Sequence, residues 1–172
     1  MYDFSFFSIL SGGILLLAVV DDIASRKIHN KLLLILLPVT LGLLAWHLGG
    51  AEFLQHLMRS GITILLSIIV VLPFVLSKII GAGDLKLLLL LSLVLSPLIL
   101  FQLFLFSFIW ASLLGLAQIV VSGQLPALFS NLMHFKDLKD NKNLHSIPFS
   151  VALFFSWSSV VVLKFRFINF LF

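Results

Sequence analysis

Three carboxylates carry the chemistry that this sequence offers. Asp21, Asp22 and Asp84 abut apolar helices on one face, whereas Asp3 and Glu52 fall on the opposite side and Asp137 and Asp140 in a hydrophilic loop. Ionisable groups at membrane depth are expensive and usually functional. Two carboxylates that face each other can hydrolyse an amide. One takes a proton from water, and the other, protonated, polarises the scissile carbonyl. Close like charges drive the two titrations apart, so the pair shares one proton near neutrality. No Ser-His or Cys-His arrangement competes. There is no cysteine, which excludes thiol catalysis and disulfides, and no G-x-S-x-G motif occurs.

The local settings of these acids differ. Asp84 follows Gly81-Ala82-Gly83 and opens a helix. A helix N-terminus favours an anion, and glycines there permit a tight turn, so a purely structural role fits Asp84 equally well. Asp21 and Asp22 close the first apolar segment, at the helix end where the dipole disfavours anions. Arg26 and Lys27, one turn on, offset part of that repulsion. A solvated turn paired with this basic loop is the structural alternative.

Apolar helices must position these groups. The 172 residues are 61% apolar and 10% charged, against about 45–50% and 25% in soluble domains. That excludes an ordinary soluble enzyme, a disordered chain and a nucleic-acid-binding domain. Residues 1–172 read as one integral-membrane domain. Runs without Asp, Glu, Lys or Arg cover Phe4–Val20, Leu32–Ala51, Ser60–Ser77, Leu87–Phe135 and Asn143–Leu163. A spanning helix needs about 17–25 such residues. The longest run divides at Ser96-Pro97, into roughly Leu85–Ser96 and Gln102–Ser122. The expectation is an all-α bundle of about six transmembrane helices. The first is retained, because no basic residue precedes it and no A-x-A site follows. The three- and four-residue spacing of Leu125, Leu128, Leu132, Phe135 and Leu138 predicts a short interfacial helix, or equally a plain connector.

Six crossings put both termini on one side. The opposite loops carry Arg26, Lys27, Lys31, Lys78, Lys86, Lys136, Lys139 and Lys142, against Arg59, Lys164 and Arg166 on the terminal side. The positive-inside rule makes the richer face cytoplasmic and the termini external. Asp21, Asp22 and Asp84 all fall on that cytoplasmic face. Parity fixes their depth but not their lateral proximity.

Three segments resemble motifs of one family. Gly81-Ala82-Gly83-Asp84-Leu85-Lys86 resembles the G-x-G-D-x-K of the type IV prepilin peptidases, the GxGD class of aspartic membrane proteases. Asp22–Asn30 is similar to the family's D-x-x-x-R-x-I-P-N, and Ile147–Ala152 to its I-P-F/Y-G-x-A. The match is closest to the short members that serve tight-adherence (Flp) pili and archaeal preflagellins. The resemblance implies that Asp22 and Asp84 are the catalytic pair, with Gly81, Gly83, Lys86, Arg26, Asn30 and Pro148 supporting them. Register selects Asp22 over Asp21, because only Asp22 places Arg26, Ile28 and Asn30 correctly. No metal or cofactor is implied. The implied substrate is a prepilin or pseudopilin, cut at the cytoplasmic edge of a bacterial or archaeal cytoplasmic membrane.

Two positions depart from the family pattern. His29 stands where the family has Pro, which alters the turn presenting Asp22, and Ser150 stands where it has Gly. The cysteine-rich insertion linked to pilin N-methylation has no counterpart, so protease activity without methyltransferase activity is expected. Competing readings are a small transporter that uses the acids as ion sites, and a non-catalytic assembly component. The first calls for acids near mid-membrane. Elsewhere, Lys86 reads as an interface residue or an electrostatic partner of Asp84. His134 and His145 read as solvated. Gly12-Gly13 reads as a place where helices could approach closely or, equally, as a weak spot in the first helix.

Overall fold

The computed structural model describes residues 4–78, 80–121 and 148–170. Among these residues, six helices follow in order: α1 (Phe4–Ser25), α2 (Asn30–Leu48), α3 (Gly50–Leu76), α4 (Ala82–Leu91), α5 (Pro97–Val121) and α6 (Phe149–Phe170). Among the described residues there is no strand. Four helices, α1, α2, α3 and α5, are long and apolar enough to cross a membrane. α6 is also apolar over Phe149–Lys164. α4, at 10 residues, extends only about 15 Å. The interfacial helix expected over Leu125–Leu138 lies outside the described residues.

Helix boundaries move where charge alone was taken as the edge of a span. α1 continues past Val20 through both aspartates to Ser25. α3 starts at Gly50 rather than near Ser60, and its 27 residues take in Glu52 and Arg59. Glu52 lies in the first turn, where the helix dipole favours an anion, so the charge opens the helix instead of ending it. α2 and α3 meet at Gly49, whose φ of 72° turns the chain within one residue. The division at Ser96-Pro97 does occur. Proline occupies the first position of α5, where its missing N–H costs no hydrogen bond.

α4 forms the centre of the bundle. Leu87, Leu88, Leu90 and Leu91 are all buried, and α4 packs against α1, α2 and α3. A short helix that is apolar all round can only be stable in such an interior. Its far end is satisfied by side chains. The Leu93 carbonyl accepts from His56 Nε2 at 2.8 Å and from Ser60 Oγ at 3.2 Å. Lipid supplies no hydrogen bonds, so such carbonyls need protein donors.

α6 closes the bundle against α1 and α5. Trp157 Nε1 donates to Ser11 Oγ at 2.9 Å, and its ring lies where a Cβ on Gly12 would come within 2.5 Å. Gly12 therefore makes the expected close helix approach, while Gly13 faces open space. Trp110 donates to Ser159 Oγ at 2.9 Å and stacks on Phe155. Trp46 is 91% exposed on α2, where it faces the surrounding medium.

Candidate active site

One end of the bundle gathers the end of α1, the start of α2, the start of α4 and the start of α6. Asp22 is in the last turn of α1 and only 6% exposed. Its carbonyl accepts the Arg26 N–H at 2.7 Å. Arg26 itself takes φ 54°, a left-handed turn that ends the helix and starts the link to α2. The Arg26 side chain is exposed.

Asp84 sits three residues past Gly81, which caps α4 in an extended conformation. The Gly81 N–H hydrogen-bonds the Asp84 carboxylate. This is the return half of a capping box, with the acid reaching back to the residue before the helix. The glycines set the fit. A Cβ on Gly81 would lie 3.1 Å from Asp84 Oδ2, and one on Gly83 would lie 3.3 Å from the Ile28 Cβ. Gly83 thus lets the start of α4 press against the α1–α2 link. Gly83→Ala is expected to push α4 off Ile28 and lower turnover about tenfold, since small displacements of reacting groups are costly. Assaying turnover at matched membrane levels checks this.

The first two motifs are also tied through side chains. Lys86 Nζ donates to Asn30 Oδ1 at 2.8 Å. Lys86 is therefore a clasp between α4 and α2. Pro148 stands immediately before α6, and its carbonyl accepts the Val151 N–H at 3.2 Å. It fixes where α6 begins.

Asp21 has a separate task. Its Oδ2 accepts the His29 backbone N–H at 2.8 Å, and its Oδ1 lies 2.9 Å from His29 Nδ1. Ser25 Oγ also approaches that ring nitrogen at 3.4 Å. Proline has no N–H to give. His29 therefore replaces a rigid turn with a hydrogen-bonded one, anchored on Asp21. The side chains are partly exposed, so the pair adds little stability. Asp21→Asn is expected to keep activity within about twofold of wild type, as surface changes usually do. A turnover assay on that single variant checks it.

Ser150, near the start of α6, was not singled out as a site residue from sequence. It is fully buried, and its Oγ donates to Asp22 Oδ2. The only hint was its departure from the glycine of the motif.

Electrostatics link the two candidate acids. Asp84 stands in the first turn of α4, ahead of its apolar run and outside the four spanning candidates. Burial pushes its carboxyl up from 3.8 to about 6, the nearby Asp22 charge pushes the same way, and the Gly81 hydrogen bond opposes both. Parity gave depth only; the fold brings Asp22 and Asp84 within electrostatic reach. Among the described residues, no group of three or more His, Asp or Glu gathers that could hold a metal ion.

A family model described as the type IV leader peptidase family matches residues 9–117. The chain belongs to the type IV leader peptidase family. The matched segment of this leader peptidase relative contains Asp22, Asp84 and the clasp between them. It ends before α6, so the Ser150 contact lies beyond it. Comparison with curated proteins and with solved structures finds no match.

Proposed function

We propose that this chain is a prepilin leader peptidase, an aspartic endopeptidase of the GxGD type with Asp22 and Asp84 as its acid–base pair. The observation that carries the reading is the convergence of these two carboxylates. Asp22 comes from the end of α1 and Asp84 from the start of α4, and Asp84 senses the Asp22 charge. A buried carboxyl raised to about 6 stays largely protonated below that pH and can polarise a carbonyl. Its partner then activates water. Neither role needs a cofactor.

The substrate reading follows from position. A prepilin or pseudopilin presents a basic leader joined to an apolar helix. Its scissile bond then lies at the membrane edge, level with the pair. In this reading the single domain makes six crossings, with roughly Leu85–Ser96 as the short fourth pass. The cytoplasmic side carries the pair, both termini are external, and no methyltransferase activity accompanies cleavage. The location of the acids at helix ends favours this over a transporter with mid-membrane sites.

Leader cleavage tests the reading. The chain is co-expressed with a prepilin from the same genome, and the pilin mass is followed. Shortening by the leader that depends on this chain supports the reading. Unchanged pilin mass, with the protein present in the membrane, overturns it.

A further inference from the structure

We propose that Ser150 is a positioning residue for the peptidase reaction: it fixes the Asp22 carboxylate by its Oδ2 and leaves Oδ1 to act. The proposal rests on the peptidase reading above and deepens it. Three observations carry it. Asp22 is buried, so water cannot freely satisfy its oxygens. Ser150 is fully buried beside it and donates its hydroxyl to Oδ2 across 128 residues of sequence. The Gly81 N–H meanwhile bonds the Asp84 carboxylate. Each carboxylate of the pair is thus held by one donor from an element other than its own last turn or from its own cap.

The consequence is geometric. A carboxylate turns about its terminal torsion, which is broad and roughly two-fold. A pair that must share a proton and a water needs one orientation of each group. A donor on Oδ2 selects that orientation for Asp22 and directs the free Oδ1 lone pairs elsewhere. Glycine at this position supplies no such donor. The family pattern then leaves Asp22 to be oriented by other means, and in this chain α6 supplies the hydroxyl. α6 also packs along α1 through Trp157 and Gly12, so the donor is carried on a fixed element rather than a loop.

The test measures kcat, KM and Tm for purified full-length wild type, Ser150→Ala, Ser150→Gly and Asp22→Asn. The substrate is a synthetic peptide spanning a prepilin leader and the first turns of its apolar helix, in detergent. Ser150→Ala is expected to lower kcat about tenfold while KM stays within twofold and Tm is retained. Ser150→Gly, which removes the same donor without adding bulk, is expected to match it. Equal kcat in wild type and both Ser150 variants, with Asp22→Asn inactive, overturns the positioning role and leaves the peptidase reading standing. A fall in Tm parallel to losses in kcat and KM makes Ser150 a packing residue and also overturns it. No cleavage by wild type overturns the peptidase reading and this proposal together.

Discussion

Asp22→Asn and Asp84→Asn should each abolish leader cleavage, with a loss of about a thousandfold or more. A positioned general acid or base contributes roughly 10²–10⁴-fold. In the proposed mechanism both groups act on the same bond, so removing either would disable the unit. The double variant is therefore expected to be no worse than either single one. Asparagine keeps the shape and one acceptor oxygen, so the Ser150 and Gly81 donors retain a partner. Membrane levels should stay near wild type. The measurement is pilin mass in cells expressing each variant, with the amount of variant protein followed in the same membranes. Full cleavage by either asparagine variant would remove the mechanism outright.

Much of this site can be read from the chain, and the unread parts have physical reasons. Composition alone set the solvent, and with it an all-helical fold. The glycines before Asp84 permit the tight turn, and Gly83 also lets Ile28 come close. Charge served less well as a ruler. Asp21, Asp22 and Glu52 all sit inside helices, so a charge does not by itself end a helix. Lys86 with Asn30 and Ser150 with Asp22 could not be paired from spacing. These contacts join residues 56 and 128 apart, and only the packing of α4 against α2 and of α6 against α1 closes them. His29 shows how a departure can conceal its compensation. Its value is a backbone N–H that proline lacks, and the receiving group, Asp21, had looked incidental.

Asp84→Asn is expected to stabilise the protein while destroying activity. The sign follows from linkage. Asp84 titrates at about 6 in the fold against an ordinary 3.8, so between those values the folded chain holds a proton that the unfolded chain has released. The stability tied to that proton is fully present below about pH 4 and is lost as pH rises through about 6. Near pH 7.5 the buried charge is a net burden, and a neutral asparagine does not carry it. The variant's melting temperature in detergent should exceed that of wild type by a few degrees at pH 7.5, at about 2–4 °C per kcal/mol. The difference should close as the pH approaches 4. A constant offset at every pH would mean that burial of the charge is not its source. Because the Asp22 charge supplies part of the shift, Asp22→Asn should relieve the same burden from the other side. The gains of the two variants would then sum to more than the gain of the double variant, since each removes the same repulsion. A protein built only for stability would have buried a neutral side chain at the head of α4. In the proposed reading a carboxyl is kept there against that cost because the reaction needs a group that can gain and lose a proton.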